Sequence, residues 1–160
     1  MIAVLQRVSR AAVRVGGEVT GEIGVGLLVL LGVRKGDGEQ DAALLATKIA
    51  RCRIFTDEAD KMNLSVNDME GGVLVVSNFT LLADYHHGNR PAYFDAAPPE
   101  EADRLYRYFV KEISTQVPRV ATGVFGADMR IAMEADGPVT IVMDSEVLKK
   151  GRRKEHEAAH

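Results

Sequence analysis

The chain's 160 residues predict a single α+β domain, a mostly antiparallel, curved or barrel-like β-sheet covered by two main helices. Three observations carry that reading. Short runs rich in Val, Ile and Leu outnumber the helical patterns, and two segments repeat apolar residues at helical spacing. No repeat or linker divides a chain that is long enough for one core and short for two.

In order, Ile2–Val8, Ala11–Val15 and Val19–Ile23 read as strands, the last two joined by a tight Gly16-Gly17 turn. Leu27 to Val33 is apolar on both faces, the pattern of a central buried strand. Beyond Gly36-Asp37-Gly38, residues Ala42, Leu45, Ile49 and Cys52 recur at helical spacing, which predicts an amphipathic helix from Glu39 to Arg51 lying on one sheet face. Val73 to Val76 forms a short strand that ends at Ser77, Asn78, Phe79 and Thr80, so a strand end presents a small polar cluster. A polar loop containing His86, His87, Gly88, Asn89 and Arg90 leads to Pro98-Pro99-Glu100-Glu101, where proline and acids in the first turn start a helix. That helix carries Ala102, Leu105, Phe109 and Ile113 inward and ends near Pro118. Met129, Ile131 and Met133 then share one side of a strand, Asp136-Gly137-Pro138 makes a turn, and Val139 to Met143 forms a last strand.

Composition excludes several classes of function. The longest apolar run, Leu27 to Leu31, falls far short of the roughly 20 residues a membrane helix needs, so no membrane association is expected. The opening Ile2-Ala3-Val4-Leu5-Gln6-Arg7 lacks the basic start and long apolar stretch of a secretory signal, and a cytoplasmic location is expected. Cys52, the single cysteine, forms no intramolecular disulfide, does not suffice for a cysteine-based zinc site, and reads as a core thiol. Adjacent His86 and His87, with no further His or Cys nearby, make a poor ligand set. A net charge of −3 provides no general basic field for nucleic acid. The exception is Lys149, Lys150, Gly151, Arg152, Arg153 and Lys154, beyond the last apolar strand. The chain therefore divides into a domain over 1–145 and a basic tail over 146–160, expected to be solvated and disordered.

Several segments become specific when taken together: Gln6-Arg7-Val8, Thr20-Gly21-Glu22-Ile23-Gly24, Lys61-Met62-Asn63-Leu64, Val75-Val76-Ser77-Asn78-Phe79-Thr80-Leu81, Arg90-Pro91, Thr122 to Met129, and Asp136-Gly137-Pro138-Val139-Thr140. In this order and spacing, from Met1 to about Met143, the chain resembles the D-aminoacyl-tRNA deacylase family. One position departs: the family's Ser-Gln-x-Thr motif has Asn78 at its second position here, one methylene shorter. The departure bears on that side chain and not on the backbone around it.

The resemblance implies an enzyme that hydrolyses the ester between a D-amino acid, or glycine, and the terminal adenosine of tRNA, and that rejects L-aminoacyl-tRNA. It implies a homodimer with active sites at the subunit interface, no metal and no organic cofactor. Ser77, Asn78, Phe79 and Thr80 from one subunit would form the catalytic part. A cis Gly137-Pro138 from the other would form the chiral fence, with Met129 and Phe125 near the pocket.

The chemistry of each residue is consistent with that assignment, and each has a plainer alternative. Ester hydrolysis passes through a tetrahedral oxyanion, and the Phe79 and Thr80 backbone N–H groups are candidates to receive it. Alternatively, Ser77 and Thr80 merely satisfy backbone groups at a strand end. Thr80 lacks a neighbouring base and ranks below a supporting role as nucleophile. Gly137 and Pro138 would direct their carbonyls at the substrate ammonium, or else form an ordinary hairpin turn. Met129 and Phe125 are pocket or core. Two other classes of function compete with the esterase: a noncatalytic dimeric binder of D-amino acids or tRNA 3′ ends, and an RNA-binding module led by the basic tail.

Overall fold

A computed structural model describes residues 1–159. β1 (Ile2–Val15) is the central strand of a six-stranded mixed sheet. Along one edge it pairs antiparallel first with β3 (Gly26–Gly32) and then with β2 (Glu18–Ile23), and along the other with β8 (Arg130–Asp144). β6 (Gly72–Ser77) adds to β3 and β7 (Arg119–Thr122) adds to β6, both in parallel. The sheet curls until β2 meets β7. Gly21 stands at this seam, where a Cβ would come within 2.3 Å of the Thr122 carbonyl oxygen, so only glycine permits the approach. The result is a nearly closed barrel. A short ribbon of β4 (Phe55–Thr56) and β5 (Met62–Leu64) lies apart from it.

Side chains alternate between two cores, as the period of two requires. Leu27, Val29, Leu31, Val73 and Val75 face α1 (Glu39–Ala50) and α2 (Pro99–Ser114), and Leu28, Leu74 and Val76 fill the barrel with Val8, Ala11 and Val13. On β1 the phase changes: Ala3 and Leu5 face the helices, whereas Ala11 and Val13 face inward. A register irregularity between Val8 and Arg10 supplies the extra step. The two strands expected before Gly16 are thus one bulged strand. The Gly16-Gly17 turn has positive φ at both residues, 57° and 84°, matching the twist of the hairpin it closes.

The sheet is mostly antiparallel, as expected, with β3, β6 and β7 parallel, and two further expectations are corrected. Asp136-Gly137-Pro138 is not a turn between two strands but lies inside the continuous β8, because β1 pairs on either side of it, through Gln6↔Thr140 and Val8↔Ala135. And the segment expected as a disordered tail forms a third helix, α3 (Ser145–Ala158), in which Asp144 caps the Glu146 N–H at 3.0 Å. His160 lies outside the described residues.

Buried polar groups anchor α3. The Ser145 hydroxyl donates to Asp41 Oδ1 at 2.6 Å and accepts from the Met1 amino group at 2.9 Å, while Lys149 Nζ lies 2.7 Å from Asp41. Burial pushes the Asp41 carboxyl up, but hydrogen bonds from Lys149, Ser145 and the Gly38 N–H outweigh it and leave the value at about 2. Cys52 is half-buried against the core, and burial raises its thiol above the ordinary value.

Candidate active site

The parallel strands β3 and β6 end together, and a cavity of about 610 Å³ opens beyond their carboxyl ends, the usual place for a ligand in parallel sheets. β6 is buried through Val76 and pairs with β3 as far as Leu31↔Ser77, after which the Asn78 N–H donates to the Leu31 carbonyl at 2.8 Å. The chain then tightens into a 3-10 turn, Phe79–Leu82, closed by Leu81 N–H to the Asn78 carbonyl at 3.3 Å. Gly32 makes room for it, since a Cβ there would meet Leu82 Cδ2 at 2.6 Å.

Because this turn begins abruptly at a strand end, its first N–H groups precede any intrahelical acceptor. Those of Phe79 and Thr80 donate to no backbone carbonyl among the described residues. The Thr80 hydroxyl instead hydrogen-bonds the Asn78 side-chain oxygen, so the two polar side chains of the motif brace each other.

Apart from Lys35 at the edge, the remaining walls are apolar. Leu31 and Val33 form the floor, Pro98, Pro99 and Ala102 at the start of α2 form one side, and Tyr93 stacks edge-on to Phe79 with ring centroids 5.1 Å apart. The loop after β7 brings in Phe125 and Met129. Phe125 rests against Tyr106 at 5.9 Å, and the Tyr106 hydroxyl donates to the Val75 carbonyl at 3.1 Å. Burial pushes the Tyr106 phenol up to about 12, so it stays a neutral structural donor. The Met129 sulfur lies so close to Gly123 that a Cβ there would stand 2.6 Å away.

The structure therefore gathers Ser77, Asn78, Phe79, Phe125 and Met129 around one cavity and sets Thr80 just outside its lining. Gly137 and Pro138 are not among the residues that line it. They lie on β8, joined by a cis peptide bond, with Gly137 at φ 132°. His86 and His87 are exposed, with ring centroids 5.7 Å apart, and do not line the cavity. Among the described residues no group of three His, Cys, Asp or Glu is placed to hold a metal ion.

Sequence reasoning did not single out two residues that hold the Gly137-Pro138 segment. Arg7 is buried, its Nε donating to the Asp136 carbonyl at 3.1 Å and a terminal nitrogen to the Ile54 carbonyl at 2.8 Å. Gln6 accepts from the Thr140 hydroxyl at 2.8 Å. Together they clasp β8 on both sides of Gly137-Pro138. The available signal was a glutamine and an arginine set between the apolar Ile2–Leu5 and Val8, where a buried polar side chain needs a partner.

Comparison with known proteins identifies the family and the fold. The family model described as D-Tyr-tRNA(Tyr) deacylase matches residues 4–144 and stops before α3. A protein of Anaeromyxobacter dehalogenans named D-aminoacyl-tRNA deacylase is 59% identical over 148 residues, spanning 92% of this chain and 99% of that one. A namesake from Cereibacter sphaeroides is 56% identical over 145 residues, spanning 91% and 100%. Among solved structures, one titled c-Myc DNA unwinding element binding protein superposes with a TM-score of 0.85 at 39% identity, over 90% of this chain and 98% of that one. A second, described as a probable eukaryotic D-amino acid tRNA deacylase, has a TM-score of 0.76 at 16% identity, over 89% and 98%, and shows the shared fold. The chain belongs to the D-aminoacyl-tRNA deacylase family.

Among the described residues no helix is long and apolar enough to cross a membrane.

Proposed function

We propose that this protein hydrolyses the ester of D-aminoacyl-tRNA, and of glycine mischarged on tRNA, as a chiral proofreading step of translation in the cytoplasm. Water adds to the ester carbonyl, the carbonyl–ribose oxygen bond breaks, and the ribose oxygen leaves with a proton. The products are a free amino acid and tRNA.

The observation that carries this reading is the pair of unengaged N–H groups at Phe79 and Thr80, held at a strand end beside an apolar cavity. Such donors are worth most where charge develops and water is scarce. Ser77 and the Asn78–Thr80 brace hold the turn in place.

The substrate-facing role of Gly137-Pro138 requires a second subunit. In one chain these residues stand away from the cavity on β8, whose outer edge pairs with nothing among the described residues and whose Ile131, Met133 and Val142 are exposed. A long exposed edge with apolar side chains is a template for pairing. A homodimer that covers β8 would bring Gly137 and Pro138 of one subunit to the other's cavity, where their backbone carbonyls would accept from the substrate ammonium and exclude an L side chain. Such a fence rejects by clash and accepts many D side chains.

The test is deacylation of one tRNA charged separately with the D and L forms of an amino acid, under multiple turnover, with mass measured in solution. Release of free D-amino acid by a dimer, with the L ester spared, is expected. Binding without turnover would assign a noncatalytic binder, and full activity in a monomer would remove the shared site.

A further inference from the structure

A second cleft, of about 680 Å³, lies between α1 and α3. Ala43, Leu44 and Leu148 give it an apolar floor, and Lys48, Arg51, Arg53 and Arg152 stand on its rim with no Asp or Glu among its lining residues. Lys48, Arg51 and Arg152 are exposed and form no ion pair among the described residues, whereas the neighbouring Lys149 is paired with Asp41 and Glu146. In a chain of net charge −3 such a gathering is not a property of the surface as a whole. Like charges held together repel, and an anion in their midst relieves the repulsion.

Shape and position narrow the anion. The cleft follows α1, whose length is about 18 Å at the helical rise, room for several phosphates in a row where a small ion needs one. It is a concave channel between helices, which suits a strand laid along it better than a flat bilayer. It also lies close in sequence to the candidate cavity: Lys35 lines the cavity and Gln40, in the first turn of α1, lines the cleft. The Leu148 and Arg152 side of the cleft comes from α3, beyond the part of the chain that the family model matches.

We propose that the α1–α3 cleft holds the phosphate backbone of the aminoacyl-tRNA while its 3′ end occupies the cavity at Ser77–Phe79. The proposal rests on the deacylase reading of that cavity. The cleft supplies affinity and orientation, and takes no part in the chemical step.

The experiment compares the full-length protein with its Lys48→Gln/Arg51→Gln/Arg152→Gln variant in three measurements: filter binding of uncharged tRNA across a salt series, deacylation of D-aminoacyl-tRNA, and hydrolysis of the same D-amino acid esterified to adenosine alone. The variant is expected to raise KM for the tRNA substrate about tenfold and to make the slope of log affinity on log salt shallower by about 2, near the sum for three phosphate contacts. Its single-turnover rate at saturating enzyme and its rate on the adenosine ester should stay at the level of the unaltered protein. An unchanged KM and salt slope would overturn the proposal. So would equal losses from Lys111→Gln, an exposed change on α2, or a variant that loses binding to phosphatidylglycerol vesicles or inorganic phosphate while keeping its tRNA affinity. If the unaltered protein cleaves neither ester, the deacylase reading fails, and the salt slope of tRNA binding still decides the cleft.

Discussion

The Arg7 guanidinium donates to the Asp136 carbonyl at 3.1 Å, which ties the middle of β1 to the residue just before Gly137-Pro138. The same side chain reaches the Ile54 carbonyl at 2.8 Å, so one planar fork holds two backbone segments that no strand pairing joins. Lysine keeps the charge but not the fork, and methionine keeps neither. Hydrogen bonds to charged groups are worth about 1.5–3 kcal/mol, so losing the Asp136 contact corresponds to roughly a ten- to hundredfold effect where its geometry matters. Arg7→Lys should lower the single-turnover deacylation rate by that factor, and Arg7→Met should lower it further. Full rates in Arg7→Met, with an unchanged melting temperature, would reduce the clasp to a bystander.

Gly137 should tolerate no side chain. Its φ of 132° is a region L-residues rarely adopt, and an added Cβ would stand 2.6 Å from the Val139 nitrogen and 2.9 Å from Val139 Cγ2. Gly137→Ala must therefore shift the β8 backbone at the proposed fence. The expected result is a loss of at least tenfold on D-aminoacyl-tRNA, or a rise in cleavage of the L ester. Unchanged rates on D, L and glycyl esters would remove this dipeptide from the site.

Much of this was legible in the sequence, for identifiable reasons. Both helix faces followed from spacing, because Ala42, Leu45 and Ile49, and likewise Ala102, Leu105, Phe109 and Ile113, each point to a single core. The strand end at Ser77 followed from the change from Val-rich to polar residues. Three features were hidden. A bulge at Val8–Arg10 mimics a break between strands. Asp136-Gly137-Pro138 has the composition of a turn but stays in register through pairing with distant β1 residues. And α3 looked like a charged tail because its anchors are Asp41 and Asp37, far away in sequence, with Met1 joining them. The separation of Gly137 from the cavity likewise depends on how the sheet curls, which no local pattern records.

The α3 anchor should show in acid. Asp41 is held at about 2 in the folded protein, below an ordinary unfolded value near 3.8, so its contribution is complete above that value and is lost as pH falls towards 2. A depression of this size corresponds to about 2 kcal/mol. Denaturant unfolding at fixed protein concentration should therefore lose about that much stability between pH 4 and pH 2. Asp41→Asn should be weaker at neutral pH and flatter over this window. An equal acid dependence in both proteins would place the titration elsewhere.

Asn78 replaces the glutamine of the family motif, and its side-chain oxygen accepts from the Thr80 hydroxyl while its N–H continues the β3 pairing. The proposed oxyanion donors are the backbone N–H groups of Phe79 and Thr80, not the Asn78 side chain. Asn78→Gln should therefore keep the deacylation rate within about tenfold, or about 1.4 kcal/mol. A change of several hundredfold in either direction would assign the side chain a direct part.

The last prediction concerns the proton acceptor. Within Ser77–Leu81 and Gly137–Thr140 there is no histidine, lysine or carboxylate, and the cavity's one cationic lining residue, Lys35, is exposed at its edge. The Tyr106 phenol, raised to about 12, is unsuited to the task and is engaged with the Val75 carbonyl. General acid–base catalysis usually contributes about 10²- to 10⁴-fold, so a group outside these side chains should supply it. The substrate carries one: the vicinal hydroxyl of the terminal ribose, beside the ester, can orient and help deprotonate the attacking water while Phe79 and Thr80 N–H receive the oxyanion. Thr80→Ala removes a hydroxyl that braces Asn78 but leaves the Thr80 N–H in place, and its effect should stay well below that of a deoxy substrate. Single-turnover deacylation at saturating enzyme separates this chemistry from binding. A substrate with hydrogen in place of the vicinal hydroxyl should bind and be cleaved at least a hundredfold more slowly. Normal cleavage of that substrate, or a Thr80→Ala enzyme that binds tightly and does not turn over, would return the step to a protein side chain.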